Sequence, residues 1–121
     1  MVTLNVIEYL NDEGEEVLLE VCQNDIKLYT FCYPYTGEKT DTKEKVTLYA
    51  LFAHNIGPSL EFKPPCKTSE IAFNQHIHAK IVSKKERLVS IGDISIILDA
   101  PIDSEFPVGS FISFDVVRLD L

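Results

Sequence analysis

The sequence predicts an all-β protein, a small antiparallel barrel or sandwich with at most one short helix. Three observations carry this. Apolar and polar residues alternate over short stretches, the period of a strand with one buried face. Turn-forming clusters such as Asn11-Asp12-Glu13-Gly14, Asn24-Asp25 and Gly92-Asp93 separate those stretches. The stretches follow one another at the spacing of short strands joined by tight turns.

Taken in order, Val2 to Leu10 alternates, with Val2, Leu4 and Val6 on one face and Thr3 and Asn5 on the other. Val17 to Gln23 is the next strand and forms a hairpin with the first. Ile26 to Tyr33, rich in β-branched and aromatic residues, completes a three-stranded meander. Pro34 to Lys45 is polar and reads as a loop. Residues 42–54 fit two periods. Val46, Leu48, Ala50 and Phe52 alternate as in a strand, whereas Val46, Tyr49, Ala50 and Ala53 stand at helical spacing behind Asp41-x-x-Glu44, which imitates a capping box. The propensity of Val46-Thr47-Leu48-Tyr49 favours the strand. Gly57-Pro58 and Pro64-Pro65 bracket an irregular stretch. Ile71 to Val82 is the longest strand expected, with Ile71, Phe73, Ile77, Ala79 and Ile81 on one face and Gln75 as the exception. Asn74, His76, His78 and Lys80 take the other face. A charged turn at Lys84-Lys85-Glu86 leads to short strands over Leu88 to Ile91 and Ile94 to Leu98. After a loop over Ala100 to Gly109, Phe111 to Leu119 closes the chain with Ile112, Phe114 and Val116 inward. One domain is expected over residues 1–121.

If residues 42–53 are helical, the order is three strands, a helix and further strands. That order, with Gly109 ahead of the strand through Phe111, Ile112, Ser113 and Phe114, resembles an OB-type barrel. The resemblance implies a strand face able to take single-stranded nucleic acid or a small ligand.

Composition narrows the partners. Hydrophobic residues make up 45%, a globular value. No apolar run approaches the roughly 20 residues of a membrane helix, so no membrane association is expected. Met1 to Asn5 lacks the basic and apolar stretches of a signal peptide, and a cytoplasmic location is expected. Cys22, Cys32 and Cys66 are odd in number, widely spaced and without a CxxC pair, which suits reduced thiols. A net charge of -8, from 19 acidic and 11 basic residues, opposes nucleic acid and anionic lipid and favours basic protein surfaces.

Few constellations suggest chemistry, and no cofactor motif is present. His76 and His78 share a strand face and are the metal candidates, with Cys66, His54 or a carboxylate as third ligand. The plainer reading is a solvated strand face. No GxSxG setting or glycine-rich phosphate cradle occurs. Cys22 and Cys32 read as packed thiols and Cys66 as an exposed one. The carboxylates Asp12, Glu13, Glu15 and Glu16, and Asp103 with Glu105, lie in turns and read as acidic surface rather than acid–base pairs. Tyr29, Phe31, Tyr33 and Tyr35 form a stripe at period two, which reads first as rings covering the core and next as an interface.

The function expected is a non-catalytic protein-interaction module. Asp12, Glu13, Glu15, Glu16, Asp103 and Glu105, with Tyr33 and Tyr35, meet a basic protein, as an immunity-type inhibitor meets a toxin. The alternatives are an OB-like binder of single-stranded nucleic acid or a small ligand, and a metal-dependent enzyme using His76 and His78. A homo-oligomer is compatible with the same sequence.

Overall fold

The computed structural model describes residues 1–121 and contains strands but no helix. The strands are β1 (Val2–Tyr9), β2 (Val17–Gln23), β3 (Ile26–Cys32), β4 (Thr40–Lys43), β5 (Val46–Leu51), β6 (His54–Ser59), β7 (Cys66–Lys67), β8 (Gln75–Ser83), β9 (Leu88–Ile91), β10 (Ile94–Ile97), β11 (Phe111–Val116) and β12 (Arg118–Asp120).

β1, β2 and β3 form the expected antiparallel meander, with Val2, Leu4 and Val6 buried along β1. Their apolar face packs against the far half of the chain. One core of 21 buried residues joins Val2, Leu4, Val21 and Leu28 of the meander to Leu48 of β5, Ile77, Ala79 and Ile81 of β8, and Ile112, Phe114 and Val116 of β11. Each of these side chains larger than alanine contributes about 1.5–3 kcal/mol by leaving water, which is why alternation governs most of the strands. A smaller cluster of Val6, Val17, Leu19 and Cys32 lies beneath Tyr35.

The ambiguous segment is a strand. Val46, Leu48 and Ala50 are buried in alternation, and Asp41 caps no helix but accepts the Thr42 N–H at 2.9 Å. Part of the expected loop over residues 34–45 is also a strand, because β4 covers the outer edge of β1 with a short polar segment. Gly57-Pro58 lies inside β6, an edge strand, where a proline leaves no ladder bond unmade. β8 starts at Gln75 rather than Ile71. Asn74 N–H bonds Ile71 C=O in a turn, and Ile71 is 61% exposed. The closing strand breaks in two at Val117, whose N–H bonds Leu51 C=O. Val116 and Leu119 are both buried at a spacing of three, so one uninterrupted strand cannot bury both.

The antiparallel barrel is the expectation the fold corrects. The ladder order β4-β1-β2-β3-β12-β5-β10-β9-β8-β11-β6, with β7 on β8, describes one open sheet. It is mixed, because β10 pairs β5 and β12 pairs β3 in parallel. No ladder joins β3 to β8. The Gln75 side chain spans that seam, its Oε1 accepting the Tyr29 N–H at 2.8 Å and its Nε2 donating to the Tyr29 C=O at 2.9 Å. Gln23 and Asp93 clasp the β2–β3 and β9–β10 turns through bonds of 2.6 and 2.8 Å.

The turn into β6 carries backbone strain. Phe52 is 69% exposed at φ 55°, held there because the Asp99 carboxylate accepts the Phe52 and Ala53 N–H groups at 2.6 and 2.8 Å. Bulky residues avoid this left-handed region and asparagine tolerates it. Phe52→Asn is expected to stabilise the fold by about 0.5–1 kcal/mol, read from the midpoint of urea unfolding.

Candidate functional site

Two surface regions gather chemically distinctive side chains. The first is the end of the sheet at the β1–β2 connection. Asn11 Oδ1 accepts the N–H groups of Glu15 and Glu16 at 3.0 and 3.1 Å, and Gly14 supplies a φ of 74°. The turn therefore closes on its own backbone and leaves the side chains of Asp12, Glu13 and Glu15 exposed and that of Glu16 partly so. The Tyr35 N–H donates to the Glu15 C=O at 2.8 Å and docks the segment after β3 onto this turn. The Tyr35 ring rests on the small core cluster, and its hydroxyl donates to the Glu38 carbonyl. Burial, reinforced by the Asp41 carboxylate, holds this phenol above its usual range, so it stays a neutral donor. Tyr33 is 56% exposed beside it, and Tyr9 and Leu10 are exposed at the end of β1.

The β1–β2 turn and its flanks carry Glu8, Asp12, Glu13, Glu15 and Glu16 and no lysine or arginine, while Lys39 lies alongside, its C=O accepting the Val6 N–H at 2.8 Å. Tyr35 is thus tied to the acidic turn, with Tyr33 two residues before it in the chain. Asp103 and Glu105 belong to another loop, between β10 and β11. There Asp103 Oδ1 accepts the Glu105 N–H at 2.9 Å and Lys84 Nζ donates to the Ser104 C=O at 3.1 Å. Glu8, Tyr9 and Leu10 were not singled out in the sequence, although they continue the first strand into the same turn.

Within β3 the aromatic stripe faces away from the core, and of its four rings Tyr35 rests on the small cluster. Leu28, Thr30 and Cys32 point inward from β3, and Tyr29 and Phe31 point outward. Lys67 Nζ lies 4.7 Å from the Tyr29 ring centre, and the Arg118 guanidinium lies 4.5 Å from that of Phe31. Between β3 and the β7–β8 segment lies a hollow of about 280 Å³ lined by Lys27, Tyr29, Cys66, Lys67 and Gln75 among others.

The second region is the outer face of β6, β11, β8 and β7. Registered partners place His54, Asp115, His76 and Cys66 in one row across these four strands. His76 Nδ1 lies 2.6 Å from Asp115 Oδ1, and Asn55 Nδ2 donates to Asp115 Oδ2 at 2.9 Å. One step along β8, His78 Nδ1 lies 2.7 Å from Ser59 Oγ. The rings of His76 and His78 stand edge to face with centres 5.0 Å apart. The structure therefore brings together His76, His78 and Cys66, and adds Asp115, Asn55 and Ser59. As the side chains stand, no three His, Cys, Asp or Glu residues gather closely enough to hold a metal ion. Cys22 and Cys32 are not part of this face. Burial and the neighbouring Glu20 push the Cys22 thiol up to about 12, and burial with the Asp120 charge raises that of Cys32. Both remain protonated and weakly nucleophilic.

This face predicts a two-stage acid response. Burial, together with the neighbouring His76 and Lys63 charges, holds His78 below the ordinary imidazole value of 6.5. Burial opposes the Asp115 charge, but hydrogen bonds from Asn55 and His76 and the charges of His76 and His54 outweigh it. They hold the carboxyl below its ordinary 3.8. In both cases the unfolded chain binds the proton more readily, so stability falls as pH falls through each window. The upper window opens below 6.5 and the lower below 3.8. His78→Asn is expected to flatten the upper slope and Asp115→Asn the lower, measured as urea midpoint against pH.

No helix is long and apolar enough to cross a membrane. No protein-family model matches the chain, and neither a curated protein nor a solved structure does.

Proposed function

We propose that this chain is a non-catalytic interaction module whose acidic, tyrosine-bearing end binds a basic protein surface. The observation that carries the reading is the Tyr35 N–H to Glu15 C=O bond, which makes the turn of Asp12, Glu13, Glu15 and Glu16 and the segment of Tyr33 and Tyr35 one surface. Carboxylates steer a basic partner, and exposed tyrosines supply contact area at low entropic cost. An immunity-type inhibitor of a basic toxin is one concrete form. The reading places the protein in the cytoplasm, where its three free thiols stay reduced.

The OB-like alternative, a binder of single-stranded nucleic acid, has less support. Lys39 and Lys43 lie on or beside β4, Lys27 lies on β3, and Lys84, Lys85 and Arg87 lie in the β8–β9 turn. Lys43 is already paired with Asp41 at 3.5 Å.

The test is capture of a basic partner from native lysate, followed by binding measurements with variants. Reversing Glu13, Glu15 and Glu16 to Lys is expected to abolish capture, and Tyr33→Ala to cost about 2 kcal/mol of binding. Raised salt should weaken the complex mainly through a slower on-rate. A partner indifferent to the triple reversal overturns the proposal. So does a chain that only self-associates, for example through its β4 and β6 edges.

A further inference from the structure

We propose that the hollow between the β2–β3 turn and the β8–β9 strands binds a small aromatic carboxylate. It lies apart from the acidic end, and it follows from the open sheet. No ladder joins β3 to β8, so the tip of the meander meets the far half of the chain across a gap. Gln23 and Asp93 bridge that gap with bonds of 2.6 and 2.8 Å. A space of about 310 Å³ remains beside the bridge. Sites for small molecules begin at about 300 Å³.

The walls are apolar. Ile26, Ile91, Phe62 and Phe111 supply them. The Phe62 and Phe111 ring centres lie 6.3 Å apart, with their planes at 56°. Phe62 stays 39% exposed, so part of its ring meets the hollow and solvent rather than the core. A flat aromatic guest would cover it. The hollow is also set before any ligand enters. Asn24 and Gly92, at φ 54° and 58°, shape two tight turns at its rim, and the Gln23–Asp93 bonds tie those turns together.

The charge of the guest follows from Lys80. It is the one charged residue that lines the hollow, and it forms no ion pair in a chain with 19 acidic residues. Asp93, next to Gly92, is already engaged. Its Oδ2 accepts from Gln23 Nε2 and lies 3.9 Å from the N-terminal ammonium. Register sets Lys80 between Phe111 of β11 and Ser90 of β9. Facing partners in such a row stand about 4.5–5.5 Å apart at Cβ. A ring, an ammonium and a hydroxyl are therefore offered side by side. One cation balances one negative charge, and the net charge of -8 repels polyanions. That favours a monoanion with an apolar body over a nucleotide. A carboxylate accepts from both Lys80 and Ser90.

The experiment titrates the full chain with naphthoate at neutral pH, read by calorimetry and by backbone amide shifts. Expected are one saturable equivalent and shifts grouped at Asn24, Ser90, Gly92 and Phe111. Naphthamide, an uncharged analogue of the same shape, should bind about 10-fold more weakly. Lys80 is exposed, so Lys80→Met keeps the fold. It should weaken naphthoate about 10-fold and leave naphthamide unchanged. Phe62→Ala should weaken both about 5-fold. Lys67→Met, in the hollow beside Tyr29, should change neither. Absence of saturable naphthoate binding overturns the proposal, as does an unchanged affinity in Lys80→Met. Binding lost in Lys67→Met, or shifts grouped at the acidic end, overturns the location. Naphthamide bound as tightly as naphthoate overturns the carboxylate.

Discussion

A chain ending at Val117 is expected to lose cooperative unfolding under conditions in which the full chain folds. The four residues removed include β12, which stands between β3 and β5 in the ladder order. Leu119 is fully buried in the main core, and its C=O accepts the Thr30 hydroxyl at 2.9 Å. The Leu121 N–H donates to the Phe31 C=O at 2.9 Å, and Arg118 covers the Phe31 ring. Without these residues both inner strands lose a neighbour. Removing a core leucine alone costs about 2–5 kcal/mol, and each buried polar group left unpaired about 1–3 kcal/mol. The sum rivals the roughly 5–15 kcal/mol that hold a whole domain together. Leu119→Ala is the graded version, expected to fold with a loss of about 2–5 kcal/mol. Near-ultraviolet circular dichroism and urea unfolding read both. A truncated chain with an unchanged midpoint would falsify the placement of β12 between β3 and β5.

That junction was the part of the fold least legible in the sequence. The meander of β1, β2 and β3 could be read because each strand pairs with its sequence neighbour and the turns carry Asn, Asp and Gly. Alternation reports that one face is buried. It does not report which strand lies alongside. The Thr30–Leu119 bond joins residues 89 apart, and no local signal encodes it. The one available clue was the change of phase between Val116 and Leu119, which a single continuous strand cannot accommodate. Ile71 and Phe73 misled in the opposite sense, because they share the phase of Ile77 while lying in the turn ahead of the strand.

The candidate sites divide in the same way. Histidines two apart on a strand were visible as a pair. Asp115, 39 residues from His76, entered only through the β8–β11 register, and Ser59 through β6. The acidic turn could be located from its own residues, but its union with Tyr35 depends on a backbone bond across two hairpins. Asp103 and Glu105 are exposed, on a loop apart from the β1–β2 turn, and Asp103 also accepts the Glu105 N–H within its own turn, a pairing that composition does not reveal.

Gln75→Leu is expected to cost about 2–5 kcal/mol, although it places an apolar side chain in an apolar phase. In the sequence Gln75 interrupts the series of Ile77, Ala79 and Ile81. In the structure it is 1% exposed and inward with them. Its carboxamide presents an acceptor and a donor side by side, as a peptide unit does, and meets both backbone groups of Tyr29, while Nε2 also donates to the Phe73 C=O at 3.4 Å. Two residues along β3, the Phe31 C=O takes the Leu121 N–H instead. Because β12 runs parallel to β3, Gln75 thus takes the place of a strand beside Tyr29, at the point where β12 begins. Leucine fills much of the volume but strands the Tyr29 N–H and C=O, so the loss measures the hydrogen bonds more than the packing. Gln75→Glu separates the two contributions further. Ionised, it still accepts from the Tyr29 N–H, but it sets a carboxylate oxygen against the Tyr29 C=O and destabilises strongly. Protonated, it can donate again. Its folded pKa is therefore raised, and its deficit relative to the parent chain should shrink as pH falls. The deficit of the leucine variant should stay constant with pH. Parallel pH profiles for the two variants would mean that Gln75 contributes only by filling space.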